Sequence, residues 1–255
     1  MGRIDVTTLG TLGDLHPMIA ISLELRQRGH DVVFVTHQVY QSKIEALGFE
    51  FHSMRPDFTA MNDPEEMARM MDLKTGQEYM VCEWANPSLQ DMYTDLLNVA
   101  KNADFIFSGE GVIATPLVAE KLGMTWASSA MVPMGFFSVY DLPVLAAFPS
   151  LAKLYKFGSM VNKAIVNFAK LVSNSWAEPI RQLRCELDLS PINYNPFIDS
   201  KKYSPYLVVG LFSSVIGQRQ PDWPENAVIA GFTFYDGTQG GAELTSELKL
   251  FLDAG

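Results

Sequence analysis

Apolar residues along this chain recur in two rhythms that alternate from the start. Arg3 to Thr8 is a short β-rich run, and Asp31 to Thr36 is almost continuously apolar, as expected of a parallel strand covered on both faces. Between them, Met18, Ile19, Ile21, Leu23 and Leu25 recur at roughly helical spacing until Gly29 stops the pattern. Val39, Ile44 and Leu47 mark a second helix ended by Gly48, and Phe49 to His52 reads as a third strand. Strand and helix thus alternate within the first fifty residues, which predicts half of a doubly wound sheet with right-handed crossovers.

From Met54 to Asn102 the pattern loosens into a loop with Pro56 and Pro64, then helices rich in methionine: Met61, Met67, Met70, Met71, Met80 and Met92. Most of these read as core residues of amphipathic helices; near Met80 and Trp84 an acceptor pocket is the alternative. Ala103 to Ser108 predicts a fourth strand, Gly109-Glu110-Gly111 a turn, Val112 to Leu122 a helix stopped by Gly123, and Thr125 to Ser128 a fifth strand. The loop from Met131 to Pro143 is unusually apolar for a connection, so it must be covered or line a binding site. Helices follow from Ser150 to Leu187, with Lys153, Lys156, Lys163, Lys170, Arg181 and Arg184 read as a solvated face. Tyr206 to Val209 and Ala227 to Ala230 are the last predicted strands, Asp236 to Gly241 a turn or linker, and Leu244 to Leu252 a final helix.

The expectation is an α/β, Rossmann-like, doubly wound and mostly parallel sheet with helices on both faces. Residues 1–235 would form it, and residues 236–255 would be a linker and short helix. With 255 residues, 48% of them hydrophobic, the chain can bury a large core. Its 19 Lys and Arg against 29 Asp and Glu give a net charge of -10, which repels nucleic acid and anionic surfaces and favours a neutral or apolar small-molecule partner. Cys82 and Cys185 lack metal-type spacing and fit a reducing cytoplasm, and neither a signal segment nor a membrane span is predicted.

Ligands of such sheets sit at the C-terminal ends of the strands. There the stretch Thr8-Leu9-Gly10-Thr11-Leu12-Gly13-Asp14-Leu15-His16-Pro17 joins the first strand to the first helix. Its glycines and the unpaired N–H groups of a helix start make it a candidate anion or phosphate site. The third glycine of a dinucleotide fingerprint is missing, which argues against a nicotinamide-dependent oxidoreductase. The sequence has no G-x-x-x-x-G-K-[ST] loop and no G-x-S-x-G elbow, and His16, His30, His37 and His52 lack zinc spacing. Asp14 remains, either as a helix N-cap or as a base taking a proton from a hydroxyl group. His16 is a second candidate base, and Glu110 a candidate partner for a base or an acceptor.

Gly10-Thr11-Leu12-Gly13-Asp14-Leu15-His16-Pro17 with Arg28-Gly29-His30-Asp31-Val32 resembles the G-[ST]-x-G-D-x-x-P…R-G-H-x-V opening of GT-B glycosyltransferases of the family 28 N-terminal type. These include sterol glucosyltransferases and bacterial enzymes that glycosylate natural products. Val118 to Met124 is similar to their A-E-x-L-G-[IM] helix end, and Pro221-Asp222-Trp223-Pro224 through Gly231-Phe232 to the approach to their interdomain linker. The resemblance implies the acceptor-binding half of an inverting, metal-independent hexosyltransferase, with Asp14 as catalytic base. It implies that Gly10, Thr11 and Gly13 lie beside the donor phosphates, while the apolar composition of their own stretches makes Met80, Met131, Met134, Phe136, Phe137 and Tyr140 the expected acceptor wall, for an apolar small molecule or lipid. His16 falls where the family varies and inherits no role from it, so His16 and Glu110 stay auxiliary candidates on the reading of the residues alone. No cofactor is implied beyond a UDP- or dTDP-hexose co-substrate, which a C-terminal domain outside this chain would bind. On that reading the chain alone is inactive.

Overall fold

Val6, Phe34 and Ile106, each on a different strand, are fully or almost fully shielded from solvent, and the sheet that shields them was determined as a computed structural model describing residues 1–57, 63–237 and 244–254. Seven parallel strands are arranged in the order β3-β2-β1-β4-β5-β6-β7. They are β1 (Arg3–Thr8), β2 (Asp31–Thr36), β3 (Glu50–Ser53), β4 (Phe105–Ser108), β5 (Trp126–Ala130), β6 (Leu207–Gly210) and β7 (Ala227–Ile229). The order reverses at β1, which pairs with β2 on one side and β4 on the other. A crevice opens at such a reversal, beyond the carboxyl ends of the strands.

Side chains alternate across each strand, so the two faces of the sheet build two cores. On one face Ile4, Val6 and Phe34 pack under Leu15, Met18 and Ile19 of α1 (Leu12–Gln27) and Ile44 of α2 (Gln41–Ala46). On the other, Val33, Val35 and Ile106 lie against a layer of helices. This layer comprises α5 (Leu89–Ala100), α6 (Thr115–Leu122) and α8 (Glu178–Glu186). Each fully buried Leu, Ile, Val or Phe contributes roughly 1.5–3 kcal/mol, so the predicted double coverage is what holds the parallel sheet.

Some boundaries differ from the sequence expectation. The helix expected from Val112 begins at Thr115, with Pro116 in its first turn, because Val112 to Ala114 form a tight turn of their own. The helical stretch from Ser150 is divided into a 3₁₀ segment (Pro149–Phe157), α7 (Ser159–Val172), a second 3₁₀ turn (Asn174–Ala177) and α8; Gly158, with φ of 95°, separates the first two. Within the methionine-rich region lie α3 (Pro64–Met70), α4 (Gly76–Tyr79) and a π-helical turn at Met80–Ala85. Met70 and Met92 are buried as core residues, whereas Met71 and Met80 are exposed; Met61 lies outside the described residues. The last helix is α9 (Ser246–Asp253), and the predicted turn from Asp236 falls largely on residues outside the described set. No described helix is long and apolar enough to cross a membrane.

The solvated basic face is also revised. Arg184 is buried and paired with Glu120 at 2.6 Å, and Lys170 is paired with Asp199, whereas Lys153, Lys156 and Lys163 are exposed.

Candidate functional site

The turn between β1 and α1 stands at the reversal point of the sheet and is built by its own hydrogen bonds. Thr11 has extended backbone and caps α1, so Asp14 is the third residue of the helix and not its cap. The two form a capping box. The Thr11 N–H donates to Asp14 Oδ2 at 2.9 Å, its hydroxyl donates to the same oxygen at 3.4 Å, and the Gly13 N–H donates to Thr11 Oγ1 at 3.3 Å. Gly10 has φ of 131°, and a Cβ there would collide with the Asp14 carboxylate. Gly10 is therefore the residue that lets the carboxylate fold back over the turn.

Gly10 is fixed from both sides of its peptide by the chain that follows β2. Its N–H donates to His37 Nε2 at 3.0 Å, and its carbonyl accepts from the Tyr40 hydroxyl at 2.9 Å. Since His37 Nε2 accepts, its proton sits on Nδ1, which lies 2.9 Å from the Pro56 carbonyl. The ring is fully buried, 5.7 Å from the ring of Trp84. Burial pushes His37 down to about 4, so the imidazole is neutral. Sequence reasoning found no role for His37, because its partner is 27 residues away and the only local sign is its place directly after a buried strand.

These bonds revise the phosphate expectation. The amides of Gly10, Thr11 and Gly13 are spent on His37, Asp14 and Thr11, so in this conformation the three do not form an anion cradle. Asp14 is half-buried, and its carboxyl is pushed above the usual range, mainly by burial and further by the negative charge of Glu110, against the pull of the Thr11 bonds. The bonds that the Asp14 side chain accepts from Thr11 both fall on Oδ2, so the capping box does not engage Oδ1.

Glu110 is not a solitary acid. It accepts from the Tyr203 hydroxyl and pairs with Lys202 Nζ at 3.1 Å. Burial and the Glu110 charge hold the Tyr203 phenol protonated, well above its usual range. A Cβ at Gly135 would lie 2.6 Å from Glu110 Oε1, so glycine at that position is what allows the approach. Glu110 therefore ties the turn after β4 to the loop after β5, and it acts on Asp14 through charge. His16 is edge-on to Tyr235, with ring centroids 5.1 Å apart; burial, and secondarily Lys43, lowers its pKa. Its Nε2 is buried with no hydrogen-bond partner among the described residues.

The expected acceptor wall separates into different surroundings. The 3₁₀ turn Pro133–Phe136 folds the loop back, so Phe136 is buried and stacked on Trp223 at 4.2 Å in the core beside β5 to β7. It belongs to the core, which corrects its assignment to the wall. Phe137 takes a left-handed backbone, with φ of 47°, and packs against the cluster of Leu142 and Ile165. Met131 is partly buried against the α1 face. Met134 and Tyr140 remain about half exposed, and Met80 lies on the π-helical turn that carries Trp84. A cavity of about 60 Å³, not anticipated from sequence, lies beneath Glu110 between α6, α8 and Tyr194. Among the described residues, no three His, Cys, Asp or Glu side chains are placed to hold a metal ion.

Residues 4–94 match the glycosyltransferase family 28 N-terminal domain. The UDP-sugar-dependent glycosyltransferase 52 of Dictyostelium discoideum is 27% identical over 242 residues, covering 90% of this chain and 13% of that protein. A sterol 3-beta-glucosyltransferase of Neurospora crassa is 27% identical over 135 residues, 51% of this chain and 8% of its own length. The crystal structure of the glycotransferase of kitacinnamycin shares the fold, with a TM-score of 0.57 over 94% of this chain and 54% of that one, at 14% identity. The chain thus spans a small fraction of these curated relatives and about half of that solved structure.

Proposed function

Starting from a chain whose residues 4–94 are of the glycosyltransferase family 28 N-terminal type, we propose that it is the acceptor-binding part of a nucleotide-sugar-dependent hexosyltransferase acting in the cytoplasm. The observation that carries this reading is Asp14: a half-buried carboxylate with a raised pKa, held at the reversal point of the sheet with one oxygen outside the capping bonds. A carboxylate with its pKa moved toward neutrality is a better general base than an ordinary aspartate. Asp14 takes the proton from an acceptor hydroxyl, and the oxygen attacks the anomeric carbon of the sugar. The bond from that carbon to the phosphate breaks, the nucleoside diphosphate leaves, and the configuration inverts without a metal ion.

The donor, a UDP- or dTDP-hexose, is held mainly by a further domain outside these residues. The acceptor is an apolar small molecule or lipid, and Met134 and Tyr140 remain the exposed residues through which the loop after β5 would meet it. A second reading, a non-catalytic binding module, draws on the capping box, which by itself gives Asp14 a structural role.

A transfer and hydrolysis assay separates the two. This chain and the same chain continued through its natural downstream sequence are compared, each with and without Asp14→Asn. The amide keeps an oxygen for the Thr11 N–H, so the fold survives while proton abstraction is lost. Turnover confined to the longer protein, with a loss on the order of a hundredfold or more in the variant, is expected. Full activity in Asp14→Asn would remove Asp14 as the base, and inactivity of the longer protein with every donor would leave the binding module.

A further inference from the structure

Two side chains of the turn after β2 grip Gly10. Tyr40 ends a 3₁₀ turn (Gln38–Tyr40) and is 6% exposed. Its backbone N–H donates to the His37 carbonyl at 3.0 Å, and the two rings lie 6.1 Å apart, both reaching Gly10. They hold different peptide groups. His37 takes the N–H of the Leu9–Gly10 peptide, whereas the Tyr40 hydroxyl donates to the carbonyl of the Gly10–Thr11 peptide. The N–H of that second peptide is the one that donates to Asp14 Oδ2. Both of its bonds are 2.9 Å long, while the Thr11 hydroxyl stands farther from the same oxygen, at 3.4 Å.

We infer that Tyr40 is a positioning residue for Asp14, its hydroxyl acting through the Gly10–Thr11 peptide to hold the carboxylate and set its affinity for a proton. A peptide group is one conjugated unit. A hydrogen bond to its oxygen draws electron density from its nitrogen, so the N–H at the far end becomes a stronger donor. Phenol, peptide and carboxylate then form a chain of donors pointing one way, and the negative charge at its end gains from both bonds. Burial, and secondarily the Asp14 charge, raises the Tyr40 pKa, so the phenol keeps its proton while Asp14 titrates. The chain opposes the two influences that raise Asp14, its burial and Glu110. In the reaction it keeps enough of the carboxylate ionised to accept a proton near neutral pH. This inference rests on the reading of Asp14 as the base.

The test is a carbon-13 titration of the Asp14 carboxyl in the whole chain, its signal assigned by its loss in Asp14→Asn. Tyr40→Phe keeps the ring and removes the hydroxyl. The Asp14 midpoint should rise by roughly 0.3 pH, the effect of weakening a charge-assisted bond by about 10–30%. 3-Fluorotyrosine in place of Tyr40 is a stronger donor of nearly the same size and should lower the midpoint, which keeps the test open if Tyr40→Phe fails to fold. The other titratable groups nearby, Glu110 from the turn after β4 and His37 beside the phenol, are retained in both proteins. In the chain continued through its downstream sequence, the acid limb of kcat/KM should move with the midpoint, in the same direction and by the same amount. A midpoint that neither replacement moves, or a lower melting temperature with the midpoint unchanged, would overturn the inference and leave Tyr40 a structural pin for the turn. A moved midpoint in a longer protein that transfers no sugar would uphold the link to Asp14 and remove the transferase reading instead.

Discussion

Replacing Asp5 with Asn should stabilise this protein by an amount that grows with pH. Asp5 sits in the middle of β1, fully buried, and neither carboxylate oxygen has a hydrogen-bond partner among the described residues. Burial is the main cause that pushes its pKa up to about 6; Arg3 and His52 pull it down, while Glu50 and Asp31 push it further up. Between the unfolded value of 3.8 and about 6, the folded protein keeps a proton that the unfolded chain has released. Stability therefore falls as pH rises through that window and stays low above it. A shift of roughly two units at 1.36 kcal/mol per unit sets a ceiling of about 3 kcal/mol on the loss. Glu50, held down to about 2 chiefly by its hydrogen bond from Arg3, stays ionised in the fold while the unfolded chain binds its proton around 4.5, so its contribution is lost as pH falls from there toward 2, opposite in sign to Asp5 and common to both proteins.

His37 works in the opposite sense. Its pKa, lowered to about 4, means that the unfolded chain binds the proton first, so its contribution is complete above about pH 6.5 and is lost as pH falls toward 4. The two groups offset each other in the wild type, and the difference between Asp5→Asn and wild type isolates the first. Thermal melts followed by circular dichroism between about pH 4 and pH 8 are the assay. At 2–4 °C per kcal/mol for a chain of this size, the variant should melt roughly 5–10 °C higher at pH 8 and converge with wild type near pH 4. A difference independent of pH, or a less stable variant at pH 8, would mean that Asp5 is ionised and partnered in the fold, and the reasoning would be wrong.

Two further perturbations separate closely placed residues. Gly10→Ala should destabilise the fold by about 1–3 kcal/mol, through its backbone conformation and the collision with Asp14, whereas Gly13→Ala, whose Cβ would lie 3.5 Å from Thr11 Oγ1 inside α1, should be neutral or slightly stabilising; urea denaturation distinguishes the pair, and equal effects would refute the assignment. Phe136→Ala should cost about 3–5 kcal/mol as a core truncation, while Tyr140→Ala should leave the denaturation midpoint within about 0.5 kcal/mol of wild type; a Phe136 variant of undiminished stability would return that ring to the acceptor wall.

The architecture was legible because parallel strands covered on both faces leave a strong mark. Asp31 to Thr36 and the glycine stops at Gly29, Gly48 and Gly123 set strand and helix limits to within a few residues. Asp14 could be singled out because a carboxylate after two glycines at a strand-helix junction is a local pattern. What holds it could not, since His37, Tyr40 and Glu110 reach the site from other connections and their partners are set by the folded sheet. Phe136 and Phe137 are adjacent and chemically alike, and composition gives no means of telling that a 3₁₀ turn sends one into the core and the other to a separate cluster. The same limit applied to the basic residues: their spacing looked scattered until the fold paired Lys170 with Asp199 and Arg184 with Glu120.

The reversal of strand order at β1 also governs the time course of assembly on the ribosome. β1 is translated first, but its neighbour β4 begins only at Phe105. At roughly 5–20 residues per second, one edge of β1 waits on the order of 5–20 s for its partner to be made. An open edge of that kind is a template for pairing with another nascent chain. Asp5 is ionised in an unfolded chain at neutral pH, so the waiting edge carries a charge of the sort that disfavours edge-to-edge association. The carboxylate that weakens the finished sheet is thus a safeguard for the unfinished one.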